Sequence, residues 1–280
     1  MSKDPRLTPA RPDLAAAHLE GEVEAESFAE PTRMTVSVPL APQSARPNGE
    51  APLTNQLLYG EGFAAYELMG QWAWGQSMTD GYVGYVPRAC LGAEGPVPTH
   101  RVAQTLSHVY PEPALKTRPI GWLSYGSRVA VTGQENGYAA LATGGYVPAD
   151  HLAGLDTPAA DWVAEAERLT GIPYLWGGRA ATGLDCSALI QLAMQAAGME
   201  CPRDSDMQEA ELGQDVAEGA DLERGDLVFW KGHVGVMLDA TRLLDCTAFK
   251  MAVIVEDLDA AKARILEAGE GPVIRIARLA

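Results

Sequence analysis

From residue 33 to residue 153 apolar and polar side chains alternate in short runs, broken by Gly, Pro and Asn. A period of two marks half-buried strands, and the breakers are turn residues. The stretch also repeats itself. LLYGE (57–61) returns as LSYGS (123–127), and QWAWG (71–75) is matched at the same offset by GYAAL (137–141). YVP (85–87) returns as YVP (146–148) at a shorter offset, because the first copy carries a longer loop, SMTDGYVG. A repeated strand-rich unit of this size predicts two tandem barrels of about five strands each, over 33–93 and 97–153.

Upstream, residues 1–32 are rich in Ala, Glu and Pro, which predicts an N-terminal arm with at most one short helix. Downstream of Leu155 the period changes. DTPAADWVAEAERLTG reads as a helix capped by Asp156 and Thr157, with Pro158 in its first turn and Gly171 as its stop. A glycine-rich loop, LWGGRAATGLD (175–185), runs into CSALIQLAMQAAG, apolar and Ala-rich as a buried helix would be. DLVFW, HVGVML and RLLDCTA read as strands, and the last residues as helix, turn and strand. Helices followed by an antiparallel sheet make 156–280 an α+β unit.

Composition narrows the classes. With 47% hydrophobic and 21% charged residues among 280, the chain can bury a core. Its 21 Lys and Arg against 37 Asp and Glu leave a net charge of −16, which repels phosphate backbones and anionic lipid. Nucleic acid is excluded as a natural partner on that ground. The first residues carry scattered charges and no apolar core of a signal peptide, and no run of about 18 apolar residues predicts a membrane span. Cys90, Cys186, Cys201 and Cys246 have neither paired metal-site spacing nor disulfide-scaffold density, so a reducing, cytoplasmic setting is expected.

The chemistry gathers in the last unit. Cys186 stands where the loop turns into a helix, and a helix N-terminus offers unpaired N–H groups and partial positive charge to a thiolate or an oxyanion. A buried inert thiol is the commoner fate of a free cysteine, but Gly177, Gly178 and Gly183 ahead of it are costly merely to bury one sulfur. A thiol nucleophile needs a base. His18 lies in the arm, and His100, His108 and His151 lie in or beside the second repeat, which leaves His233 at the head of a strand. If HVGVML and RLLDCTA form a hairpin around Asp239–Ala240, His233 falls opposite Asp245 or within one step of it, close enough to share a hydrogen bond. The alternative for Asp245 is an edge-strand charge. Trp72, Trp74, Tyr85, Trp122 and Tyr138 read as barrel core, and Arg203, Asp204 and Ser205 either line a groove or cap the next helix. The glycine loop lacks GK[ST] and is no phosphate loop.

YLWGG (174–178), LDCSALIQ (184–191), PRDS with Gln208, GDLVFW (225–230) and HVGVML (233–238) together resemble the NlpC-type cysteine peptidases, over about residues 158–255. The strand runs ending in YVP similarly resemble bacterial SH3-like domains. The resemblance implies an α+β papain-like catalytic domain preceded by two small all-β SH3-like barrels, with Cys186 as nucleophile, His233 as base and Tyr174 at the oxyanion hole. Two departures stand out. The third polar position, commonly histidine, is Asp245 here, and the usual DCSG is DCSA, with Ala188 in the first turn.

Two SH3-like units ahead of such a domain resemble the family's γ-D-glutamyl-L-diamino acid endopeptidases, which cut muropeptides bearing a free N-terminal L-Ala. That resemblance implies that Glu61, Tyr82 and Asp185 hold the substrate ammonium and that Ser187 faces the substrate. An anionic and aromatic pocket suits a cation. Ordinary barrel surface is the plainer account of Glu61 and Tyr82. No metal or organic cofactor is implied. An amidase or acyltransferase on the same fold remains open, as does a wall-peptide binding protein with a weakened site.

Overall fold

The computed structural model describes residues 3–217 and 219–279; the first two residues of the expected arm and the last of the expected α+β unit lie outside them. The chain divides into two compact units, Met1–Thr157 and Pro158–Ala280.

In the N-terminal unit the first repeat builds one seven-stranded antiparallel sheet. Its strands lie in the spatial order Leu53–Leu58, Leu40–Ser44, Val83–Pro87, Trp72–Ser77, Gly62–Met69, Thr32–Val36 and Leu91–Ala93. Val36, Leu57, Phe63, Ala73 and Val86 fill its core, as the alternation predicts. The second repeat is divided among three small sheets around Val102, Leu123, Val129 and Val147. Its connection from Pro111 to Pro119 contains three prolines, which cannot donate to a ladder, and a register shift between Val131 and Gly133 interrupts another pair. The expected small all-β region forms, and among the described residues no sheet is shown closed into a barrel.

The repeat itself is visible atom by atom. Gly60 and Gly126 both take a left-handed φ, 81° and 83°, in a tight turn. Each donates its N–H to the valine that opens the repeat, Gly60 to Val36 O at 3.0 Å and Gly126 to Val102 O at 2.9 Å. Each copy ends in the same sequence of elements: Val83–Pro87 passes through a 3-10 turn to Leu91–Ala93, and Tyr146–Pro148 through another to Leu152–Gly154.

The arm contains no α-helix among its described residues. It is ordered by Arg11, whose guanidinium lies 4.3 Å over the Trp74 ring and donates to Tyr85 Oη at 3.1 Å and Glu67 Oε2 at 2.6 Å. Trp74, expected as plain core, is thus partly covered by a cation.

The C-terminal unit is α+β. Helix α1 spans Trp162–Glu167, α2 Cys186–Ala196, α3 Ser205–Glu211 and α4 Leu258–Glu267. The α1 helix starts later than the sequence suggests, because Asp161 and not Asp156 or Thr157 caps it, accepting from the N–H groups of Val163 and Ala164. Six antiparallel strands follow, in the order Gln214–Asp215, Arg275–Arg278, Leu227–Trp230, His233–Met237, Arg242–Thr247 and Ala252–Asp257. Val228, Met237 and Leu243 pack beneath Leu258, Ala261 and Ile265 of α4. Full burial of each large aliphatic side chain contributes about 1.5–3 kcal/mol. The α2 helix packs against α1 and against the His233–Met237 and Arg242–Thr247 strands, and nearly all of its side chains are buried.

Candidate active site

Cys186 is the first residue of α2, and Asp185 is its N-cap. The loop ahead of the helix is clamped. Leu175 N donates to Leu184 O at 2.8 Å, Leu184 N to Pro173 O at 3.0 Å, and Arg179–Ala180 pairs with Gly183–Leu184 in a short hairpin. The Cys186 position is therefore set by a knot of backbone bonds, and the residue itself is buried at 8% exposure.

His233 Nε2 and Asp245 Oδ2 are 2.9 Å apart. That contact leaves the other ring nitrogen, Nδ1, as the one that can exchange a proton with the Cys186 thiol. The hairpin register differs from the expected one. Gly235, not His233 or its neighbour, pairs with Asp245, and Met237 pairs with Leu243. The turn holds three residues, Asp239 to Thr241, because Asp239 Oδ1 accepts from Thr241 N and Arg242 N, both at 2.9 Å, while Leu238 N closes on Arg242 O. Two steps along a strand return to the same face. The histidine and aspartate thus meet diagonally across the ladder. Nor is Asp245 an edge charge: its strand is flanked on both sides and the residue is fully buried.

Electrostatics follow from this geometry. Burial lowers the pKa of His233, but hydrogen bonds to Asp245 and Cys186 and their negative charge outweigh it, so the imidazole is pushed up to about 10. Asp245 Oδ1 is buried with no hydrogen-bond partner, as is Nε1 of Trp230, whose ring centroid lies 5.7 Å from that of His233. Burial pushes the thiols of Cys201 and Cys246 well above the usual thiol range. Strand alternation turns Cys246 away from Asp245, and its Sγ donates to Leu184 O at 3.1 Å. Burial, with the negative charges of Cys186 and Asp185, likewise raises the Tyr174 phenol, which stays a hydrogen-bond donor at neutral pH.

Asp185 is not an open anion. Arg203 forks it through both nitrogens, at 2.9 and 2.7 Å, and Gly177 N, Ala188 N and Ser187 Oγ donate to it as well. Arg203 is 1% exposed and also donates to Ser187 Oγ at 3.0 Å. Gln208 donates to Ser187 O and Pro202 O, tying α3 to the first turn of α2. Sequence reasoning left Arg203 between groove lining and helix capping and missed this clamp, for which the PRDS run, with Asp204 beside the arginine, holds no signal. Glu61 and Tyr82 lie in the N-terminal unit, where Glu61 Oε2 accepts from Leu58 N at 2.8 Å and Tyr82 O accepts from Gln43 Nε2 at 2.9 Å. Both are buried, so neither is plain surface.

Thiol, imidazole and buried carboxylate in series is an arrangement for nucleophilic acyl transfer. Comparison with known proteins agrees with that class. Residues 171–264 match the NlpC/P60 family and residues 44–91 match the bacterial dipeptidyl-peptidase Sh3 domain. The chain therefore contains an NlpC/P60-family cysteine-peptidase domain with an accessory SH3-like domain, related to γ-D-glutamyl endopeptidases. It is 26% identical to a gamma-D-glutamyl-L-lysine dipeptidyl-peptidase of Bacillus subtilis over 69% of this chain and 71% of that one. It is also 26% identical to dipeptidyl-peptidase 6 of Lysinibacillus sphaericus, over 77% and 88%. A crystal structure of an NlpC/P60 family protein from Bacillus cereus shares the fold, with a TM-score of 0.74 at 19% identity over 88% of this chain and 99% of that one.

Proposed function

We propose that this protein is a cysteine endopeptidase that hydrolyses the γ-D-glutamyl-L-diamino acid bond of cell-wall muropeptides bearing a free N-terminal L-Ala. The observation that carries the reading is the Cys186–His233–Asp245 chain, with its 2.9 Å buried contact. His233, as imidazolium, holds the proton taken from the thiol, and Sγ attacks the γ-carbonyl carbon. The tetrahedral oxyanion is held by N–H groups at the start of α2 and by the Tyr174 hydroxyl. The imidazolium then protonates the leaving amine as the C–N bond breaks, and water, deprotonated by His233, hydrolyses the thioester. The matching turns and endings of the two repeats support a second SH3-like unit over 97–153 after the first over 33–93, and a papain-like catalytic unit from 156 onward. The four free cysteines support a reducing, cytoplasmic setting.

Selection of the free amine, with Glu61, Tyr82, Asp185 and Ser187 as the residues involved, is the finest part of the proposal and rests on the resemblance. The test is to incubate the protein with L-Ala-γ-D-Glu-meso-diaminopimelate and with its N-acetylated form, beside Cys186→Ala, and to assay L-Ala-D-Glu by mass spectrometry. Cleavage of the free-amine peptide alone, lost in the variant, is the expected result. Cleavage of both peptides removes the amine reading, and cleavage of neither by folded, reduced protein removes the endopeptidase reading.

A further inference from the structure

The turn between the Arg242–Thr247 and Ala252–Asp257 strands stands at the catalytic end of the sheet. Two steps beyond the Gly235–Asp245 pair, the register brings Thr247 level with His233. Thr247 Oγ1 accepts from Phe249 N at 3.2 Å, which folds the turn back. On its other flank, Met251 O accepts from Tyr174 N at 2.9 Å, and Pro173 bridges to Ala252. The Pro173–Leu175 segment in turn bonds Leu184, two residues before Cys186. The turn is thus fastened both to the histidine end of the sheet and to the nucleophile loop.

What it displays there is apolar and cationic. Phe249 is 59% and Met251 58% exposed. Two cations flank the Phe249 ring, Lys250 Nζ at 4.8 Å and Arg264 Cζ at 4.7 Å. Arg264 is paired with Glu256, yet its Nε is buried without a hydrogen-bond partner. Lys250 is exposed and makes no salt bridge to an acid among the described residues. In a chain of net charge −16, Lys250 is an exposed cation on a turn fastened to the loop that leads into Cys186. A peptide carboxylate would be drawn to it, and an alkylammonium repelled.

We propose that this turn is the leaving-side subsite and that Lys250 selects a diamino acid whose side chain ends in an ammonium and a carboxylate, as in diaminopimelate, over lysine, which lacks the carboxylate. The inference rests on the endopeptidase reading above and deepens it. Glu270, whose charge acts on the Tyr174 phenol, is the rival determinant, because an acid read by the substrate side chain would favour lysine.

The experiment measures kcat/KM for L-Ala-γ-D-Glu-meso-diaminopimelate and L-Ala-γ-D-Glu-L-Lys with wild type, Lys250→Met, Lys250→Glu and Glu270→Gln. Wild type is expected to favour diaminopimelate by about fivefold, the scale of one exposed charge pair. Lys250→Met should bring the ratio near one and Lys250→Glu should invert it, each mainly through KM. Cleavage of both peptides with a ratio that ignores Lys250, or follows Glu270 instead, overturns the subsite while leaving the endopeptidase intact. Absence of any cleavage by wild type removes the parent reading, and this one with it.

Discussion

Two buried carboxylates serve the two sides of the Cys186 position, and their surroundings are opposite. Asp185 accepts from both nitrogens of the Arg203 fork, from two backbone N–H groups and from a serine hydroxyl. Asp245 meets His233 with one oxygen and leaves the other without a partner. A carboxylate saturated with donors has its charge spent locally and acts as a clamp. One with a single partner directs its charge at that partner, which is why the imidazole is raised. Position in sequence hides this: the residue beside the cysteine is held by Arg203, and the residue 59 positions away in the numbering is the one that meets the imidazole.

The comparison breaks most sharply at Asp245. Replacing it with Ala removes both the orienting bond and the counter-charge, and kcat should fall by about 10³-fold or more, as removal of a triad member does. Stability should fall as well, because the charge that holds the His233 proton is lost. Steady-state kinetics and denaturant unfolding on the same preparation separate the two; a variant that loses stability while keeping kcat would reverse the assignment.

Arg203→Ala should do the converse. It strands a buried carboxylate, at a cost of about 3–5 kcal/mol in unfolding free energy. Removing both charges, with Asp185→Asn and Arg203→Met together, should recover part of that loss, and a double-mutant cycle in urea reads the difference. Strict additivity of the two single changes would mean that the fork carries no coupling.

The pH dependence sharpens the contrast further. The folded-state pKa of His233 is raised from an ordinary 6.5 to about 10, so its stabilising contribution is complete below pH 6.5 and is lost as pH rises through 10. The imidazolium needed to protonate the leaving amine disappears over the same upper range, which places the alkaline limb of kcat/KM near pH 10. Asp245→Asn keeps a hydrogen-bonding group without its charge, and both the stability slope and the alkaline limb should move toward lower pH. An unmoved limb would assign it to another group.

How much of this was legible in advance depended on how local each feature is. The thiol at a loop-to-helix junction, the histidine at a strand head and the terminal helix, turn and strand all follow from neighbouring residues. So does the tight Tyr-Gly turn that the two repeats share. The Arg203 clamp is nonlocal: nothing in PRDS indicates that its arginine reaches a carboxylate eighteen positions earlier. The α1 start was misread because two capping residues compete within DTPAAD, and Asp161 lies next to the apolar face. Barrel closure depends on strand pairing across the whole repeat, which alternation does not specify. The anchoring of the arm is likewise nonlocal, because the aromatic ring that receives Arg11 lies more than sixty positions away.

The hairpin register is the smallest of these features and the one on which the Asp245 contact depends. With a two-residue turn at Asp239–Ala240, Asp245 would point to the opposite face from His233, since a shift of one position inverts every side chain. The third turn residue restores the face, and Asp239 holds that turn by accepting from Thr241 and Arg242. Those N–H groups and the Arg242 guanidinium keep its carboxyl well below the usual carboxylate range, so the turn persists into acid. Asp239→Ala should lower kcat several-fold, because the turn loses its anchor and His233 meets Asp245 less often. Asp239→Asn retains an accepting Oδ1 and should restore most of the activity. Amide exchange at Val236 and Leu244, which pair in this register, provides the structural readout. Unchanged exchange and kcat in the alanine variant would show that the strands themselves, without the turn, set the register.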